Sequence, residues 1–587
     1  MDNNAIEVAI SALLGKRSSH GYLERYASLM NCLDQREALI ALDYDESNSW
    51  HAEQYVAALK YLSPSPGLKA RARGIVRRNC AKSILANQAA KFPSPDQKYI
   101  YSYGEGLIEW ALFDAPSIRK GVESAISHDK MMPELRWTLF MQLIIGDLWQ
   151  LKRLLPYLYS EPTFLPLRAR IWAAVYTFVT DFSNHHPSLR ALEKPIGTSG
   201  SSSARMQMTT AGNPLKLRVA IWSRKLATYS SSMTTVFPWL KHLPSDDLEV
   251  FLLSDKLVEF DKLQNEYRSE YGPNFIDCQG LSDEEFSTLA RSLNLDVIIP
   301  IHTSRPLLST TRLARVHLDV FAQLDTEGIP DQTVISQSMI CDEFMEMTTR
   351  RFIAIPDPML VFSTLPDVEI TDRKIDSPFC FGVFSRFAKV DSETFDVWAQ
   401  ILRECPLSNL EISSFSANEL TYYTARAEFA SRNIEPTRIT VNKSTSDHVG
   451  HLQRYNRVDL MIDTFPMGGA VSAVDSLYMG VPVISLNKDS RPGTKVLKSI
   501  FEVLDPEAGS IASSELEYIE YAKRCYLSGP RSKAQRNNLR SLTIKSCLFD
   551  QSRYANLMRA VIRAVVENPT LQVTYLEPRS DGGLISP

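Results

Sequence analysis

Cysteine is sparse in this chain, with eight in 587 residues, scattered from Cys32 to Cys547 without a CxxC pair. That scatter argues against a disulfide framework and against the common zinc-binding spacings, and fits reduced thiols in a cytoplasm. No uninterrupted apolar run approaches the ~20 residues that cross a bilayer, so no transmembrane segment is expected. The opening residues, MDNNAIEVAISALLGKRSSH, have neither the basic start nor the long apolar core of a secretion signal. A basic field is missing too. Lys and Arg total 64 against 68 Asp and Glu, a net charge of -4, which speaks against nucleic acid as a partner.

What is present is the composition of a soluble globular protein, 44% hydrophobic and 22% charged. A chain of this length exceeds one hydrophobic core and predicts about two to four domains. Residues 1–190 read as wholly helical, because apolar residues recur at three and four residue spacing in AIEVAISALLG, EQYVAALKYL and LRWTLFMQLIIGDLWQLKRLLPYL. Glycine and β-branched runs are scarce there. The segment is either a plain helical bundle or a platform for a partner protein. Residues 191–214, which include GTSGSSSARMQMTTAGNP, are small, polar and aperiodic, and mark a linker.

From residue 215 the texture changes to strands alternating with helices. Strand candidates are LRVAIW, EVFLL, DVIIPI and RRFIAIP, then FCFGVFS, NLEISSF and RITVN. Such alternation implies parallel sheets with right-handed crossovers. About 350 residues of it exceed one doubly wound sheet. Two Rossmann-like lobes are therefore expected, over 215–370 and 371–570, with residues 571–587 as a frayed tail.

The most telling stretch is DLMIDTFPMGGAVSAVDSLYMGVPVISL at 459–486. It reads as a strand, a Gly468-Gly469 turn, a helix from Ala470 to Met479, Gly480 as its stop, and a strand starting at Val481. A glycine turn at a helix start presents backbone N–H groups where the helix dipole favours negative charge. Asp475, further along that helix, is a candidate acceptor for ribose hydroxyls.

Four blocks in one order extend this pattern: FGVFSRFAKVDSETFDVWAQILRECPLSNL, ARAEFASRNIEPTRI, HVGHLQRYNRVDLMIDTFP and GGAVSAVDSLYMGVPVISL. The carrying half of the chain resembles the O-GlcNAc transferase-like glycosyltransferases of family 41, which also include the HMW1C-type enzymes. The resemblance spans roughly 217–565 and is strong from Phe381 onward. It implies a GT-B fold, two Rossmann-like lobes facing a cleft, preceded here by the all-α segment. It also implies a nucleotide sugar as co-substrate and no metal or other cofactor. In this family basic side chains and helix N-termini stabilise the departing diphosphate.

Carried over position by position, the resemblance gives Lys389 to the diphosphate, with Arg386 as a second cation. It gives His451 and Arg454 to the nucleoside, with His448 beside them; residues three apart on a helix share a face. Gly469, Ala470, Val471 and Ser472 match the phosphate turn, where O-GlcNAc transferase-type relatives carry His-Thr-Thr. Tyr229 stands where a histidine lining the active site is expected. Asp296 and His302, followed by Thr303, match a segment that commonly reads Asp-hydrophobic…His-Thr. These three, Tyr229, Asp296 and His302, are the catalytic candidates.

The implied activity is inverting, metal-independent transfer of a sugar, from a UDP-sugar, to a Ser/Thr or Asn side chain of a protein engaged by the helical segment, and the chain itself is expected in the cytoplasm. Two other readings stay open. One is a binding protein that keeps the GT-B scaffold without transfer; the other is a GT-B enzyme acting on glycans or small molecules.

Overall fold

The computed structural model describes residues 216–578 and 584–585, apart from 224–225, 228–236, 302–310, 321–330, 343–344, 346–350, 374–375, 386–388, 391, 415–424, 427, 431, 444–446, 466–467, 488–491, 505–507 and 568–572. The helical segment expected over 1–190 and the linker over 191–214 lie outside the described residues. Among the described residues no helix is long and apolar enough to cross a membrane.

The first sheet begins with β1 (Leu217–Ser223), β2 (Leu248–Ser254), β3 (Phe275–Asp277), β4 (Val297–Pro300), β5 (Val316–Asp319), β6 (Gln332–Ser336) and β7 (Phe352–Ile355). In space they run β7-β6-β5-β4-β1-β2-β3, every pair parallel. β1 shows why its sequence is continuously apolar. Val219 and Ile221 pack into one core while Ala220 and Trp222 pack into another. Alternate side chains point to opposite faces, so a sheet covered on both faces needs apolar residues at every position. One face is covered by α1 (Lys262–Tyr271) through Tyr267 and Tyr271, the other by α2 (Asp283–Ser292) through Phe286 and Ala290. Each helix starts on a side-chain cap: Asp261 accepts from the Gln264 N–H, and Ser282 with Glu285 forms a capping box.

The second sheet holds β8 (Cys380–Val383), β9 (Asn409–Ser414), β10 (Ile439–Lys443), β11 (Leu460–Ile462), β12 (Val483–Leu486) and β13 (Gly509–Ala512), in the order β10-β9-β8-β11-β12-β13. Its helices are α3 (Ser392–Glu404), α4 (His448–Arg454), α5 (Ala470–Tyr478), α6 (Val496–Phe501), α7 (Glu515–Ser528) and α8 (Lys533–Lys545). Along α3 the residues Phe395, Trp398, Ile401 and Leu402 are buried, the three and four residue spacing of a helix with one inward face. The chain builds β8, β9 and β10 outward on one side, then returns to lay β11 on the other side of β8.

The chain then goes back to the first sheet. α9 (Gln551–Glu567) buries Tyr554, Met558, Val561 and Ile562 in the same core as Val219 and Ile221. Tyr554 donates its hydroxyl to the Met359 carbonyl at 2.6 Å. β14 (Val573–Tyr575) follows and pairs parallel with β7, Thr574 opposite Ile353. Two expected boundaries therefore move. Residues 551–567 belong with the first sheet, not with the 371–570 lobe, and the tail is anchored at 573–575 by an edge strand. Burial of the apolar face of α9, at about 1.5–3 kcal/mol for each large side chain, is what draws the chain back.

Candidate functional site

In an open parallel sheet, ligands bind outside the carboxyl ends of the strands where the chain reverses its order of laying strands. In the second sheet that point lies between β8 and β11. The residues carried over from the resemblance follow the carboxyl ends around it: Lys389 after β8, the histidines and Arg454 after β10, and the glycine turn after β11.

Phe384 leaves the end of β8 and stacks on Tyr455, with ring centres 3.9 Å apart and planes 19° from parallel. His451 stands edge-on to both rings, 5.8 Å from Phe384 and 5.5 Å from Tyr455. At 7% exposure it is held by ring contacts on two sides. His448 is half-buried at the first turn of the same helix, its ring 6.1 Å from that of His451. The helix is short and depends on its cap: Asp447 accepts from the Gly450 N–H at 2.7 Å. Lys389 is half-buried beyond β8.

The arginines of this segment differ in how they are held. Arg457 forms a two-pronged ion pair with Glu411 of β9, Nη2 to Oε1 at 2.6 Å and Nε to Oε2 at 3.0 Å. Bidentate pairing of this kind is the strongest fixed geometry a guanidinium offers. It holds the Arg457 guanidinium above its ordinary pKa. Arg454 instead donates Nη1 to the Ser413 hydroxyl at 3.3 Å, a long bond, and burial lowers its pKa. Arg457 is fixed twice on Glu411, whereas among the described residues Arg454 has only the long bond to Ser413.

After β11 the chain is fixed tightly. Asp463, Thr464 and Phe465 are fully buried, and the buried Tyr518 of α7 donates its hydroxyl to the Asp463 carbonyl at 2.8 Å. Gly469 is the N-cap of α5, with no side-chain hydrogen bond closing the cap and no acidic residue in the first turn. Ala470, Val471 and Ser472 are half-buried there. The Ser472 hydroxyl donates back to the Gly469 carbonyl at 3.3 Å. Asp475 lies on the inner side of the helix at 3% exposure, so a ribose hydroxyl that reaches it is enclosed.

The far end of α5 is clamped. Gly480 adopts φ +70°, and a Cβ there would lie 2.4 Å from the Arg536 carbonyl oxygen of α8. Arg536 donates to the Met479 carbonyl at 2.9 Å and Arg540 to the Tyr478 carbonyl at 2.6 Å. Cations at the last carbonyls complement the helix dipole and hold the helix in register with α8.

Arg386, Tyr229, His302 and Thr303 lie outside the described residues; β1 and β4, which lead to Tyr229 and His302, are the strands flanking the reversal point of the first sheet. Asp296 is a correction. It precedes β4, at the amino end of the strand, where its carboxylate accepts from the Arg218 N–H at 3.0 Å and pairs with Arg315 at 2.9 Å. It braces the sheet at the end opposite to the one where ligands bind. Sequence reading also missed Phe384, Tyr455, Ser413, Glu411 and Arg457. Tyr455 carried a signal, four residues after His451 on one helical face; the others meet only through the fold.

Two parallel sheets with crossover helices, the last helix returned to the first sheet, place the chain in the GT-B class. A solved structure described as a mutant of Thermobaculum terrenum O-GlcNAc transferase shares this fold, with a TM-score of 0.61, 17% identity, and coverage of 88% of this chain and 98% of that one. Residues 356–558 match the model of glycosyl transferase family 41. A tomato (Solanum lycopersicum) protein named a probable UDP-N-acetylglucosamine--peptide N-acetylglucosaminyltransferase SPINDLY is 24% identical over 337 residues, 53% of this chain and 34% of the relative. An Arabidopsis thaliana protein named probable UDP-N-acetylglucosamine--peptide N-acetylglucosaminyltransferase SEC is 28% identical over 190 residues, 32% of this chain and 19% of the relative. The chain spans about a third of the length of the SPINDLY relative it matches.

Proposed function

We propose that this chain transfers a sugar from a UDP-sugar to a Ser/Thr or Asn side chain of a protein, with inversion and without a metal. One observation carries the reading. The nucleotide-binding candidates among the described residues all follow carboxyl ends of one parallel sheet, around its reversal point. The relatives named as UDP-N-acetylglucosamine:peptide transferases favour that donor and a protein acceptor.

In this reading His451, steadied by Phe384 and Tyr455, and Arg454 meet the nucleoside, and Asp475 takes the ribose hydroxyls. The acceptor attacks the anomeric carbon as the bond to the diphosphate breaks. Lys389 and the first-turn amides of α5 neutralise the charge that develops on the leaving oxygens. With Asp296 committed to the amino end of β4, Tyr229 and His302 remain the candidates for taking the acceptor proton. Residues 1–190 would recruit the acceptor, and a cytoplasmic setting suits the thiol chemistry.

The test is incorporation of radiolabelled UDP-N-acetylglucosamine into cell-extract proteins. Lys389→Ala should lower it about 10²–10³-fold, the usual cost of one oxyanion-stabilising donor, with the melting temperature unchanged. Full activity in that variant refutes the role. A second reading, a scaffold that binds without transferring, is favoured by the phosphate turn, where Ala470 and Val471 bring no polar groups and Ser472 bonds backwards to Gly469. UDP binding without any incorporation would select it.

A further inference from the structure

Arg454 and Arg457 face a carboxylate and a hydroxyl that stand two residues apart on β9. Glu411 and Ser413 therefore leave the same face of the strand about 7 Å apart, a separation one arginine side chain can cross. Glu411 is only 5% exposed, and three of the roughly four acceptor sites of its carboxylate go to fixed partners: both prongs of Arg457, and the Asn442 amide of β10 at 2.9 Å. Arg454, drawn by the same carboxylate, has among the described residues only the long bond to Ser413. A buried carboxylate that lost Arg457 would take the next cation within reach, because an unpaired charge is costly to keep in the interior.

We propose that Arg457 is a positioning residue of the donor site: by occupying Glu411 it keeps the Arg454 guanidinium turned towards the ligand and so sets the affinity for the nucleobase end of the donor. The inference rests on the reading of Arg454 as a nucleoside contact. It accounts for two cations placed one turn apart beside β9, Arg457 paired twice with Glu411 and Arg454 holding, among the described residues, only the long bond to Ser413. Arg457 touches no ligand in this account. It acts by denying Glu411 to its neighbour.

The test is calorimetric titration of UDP into the full chain. Arg457→Gln should weaken UDP binding about tenfold, the loss expected for one hydrogen bond to a charged group. Glu411→Gln/Arg457→Gln, which removes the competing carboxylate, should restore affinity to within about twofold, a non-additive rescue that simple loss of structure does not give. Unchanged binding in Arg457→Gln overturns the proposal, and so does a double variant as weak as the single one. If Arg457→Gln fails to fold, the double variant against the unaltered chain decides: equal affinity supports the proposal and tenfold weaker binding overturns it. Arg454→Ala separates the two layers. Unchanged UDP affinity there removes the donor-site reading itself, whereas a loss there beside an unaffected Arg457→Gln removes only the positioning role.

Discussion

Gly480→Ala probes how the proposed phosphate seat is held, and the structure supplies its magnitude. Two costs act at this position. The first is conformational: φ is +70°, and the left-handed region costs a residue with a Cβ about 1 kcal/mol or more relative to glycine. The second is steric: the new Cβ would lie 2.4 Å from the Arg536 carbonyl oxygen and 2.6 Å from its Cα. Those atoms are backbone of α8 and cannot swing aside, so relief requires α8 to move off α5. Overpacking of that kind adds about 1–3 kcal/mol, giving roughly 3 kcal/mol in all. Gly529, which follows α7, is the internal control. Its φ is +76°, yet nothing lies within 4 Å of a Cβ built there, so Gly529→Ala should cost only the conformational part, about 1 kcal/mol. Urea unfolding of both variants beside the unaltered chain reads the difference as a midpoint shift at constant slope. Equal shifts for the two variants would show that the α5–α8 approach contributes nothing, and the account of a clamped seat would fall.

Two further outcomes follow from the same geometry. Phe384→Leu removes the ring that stacks on Tyr455 and meets the edge of His451, and should weaken UDP binding about fivefold, the loss of roughly 1 kcal/mol of aromatic contact; unchanged affinity would show that His451 needs no such support. His317, buried in β5 with Nε2 accepting from the Leu313 N–H at 3.2 Å, has its pKa lowered by burial to about 4. The unfolded chain binds that proton near pH 6.5 and the folded chain does not. Stability is therefore full above pH 6.5 and declines as pH falls towards 4, by about 3 kcal/mol for the whole shift. His317→Gln should flatten that part of the stability profile; an unaltered profile would assign the slope to other groups.

The central strands of both sheets were legible because their apolar runs are continuous. Leu460–Ile462 is found as read, and β1, β2, β4, β7, β8, β9 and β10 fall within a residue or two of expectation. β12 starts later than Val481 because the turn closing α5 uses that residue, whose N–H bonds to the Ser476 carbonyl. β5 and β6 escaped notice because His317, Asp319, Gln332, Thr333 and Ser336 are polar yet buried, which erases the apolar pattern that marks an inner strand. β14 is too short to stand out and exists only because β7 offers it an edge. At the site, motif order put Lys389, His451, Arg454 and Asp475 forward as candidates, each within a family block. The supports did not show. From β9, Ser413 reaches the end of α4 and Glu411 the turn after it, more than forty residues away in sequence, and no local pattern records such a pairing. Asp296 misled for the same reason, since a motif does not say which end of a strand it occupies.

Thermal unfolding of the full chain with UDP, GDP and ADP, each alone, tests the central claim most directly. A ligand that binds only the native state at about a hundred times its dissociation constant adds about 2.7 kcal/mol and raises the melting temperature by a few degrees. The account predicts that rise for UDP, its loss in Arg454→Ala, and smaller or no change with GDP and ADP. No response to UDP, or an equal response to all three, would contradict a uridine-nucleotide site at the reversal point of the second sheet.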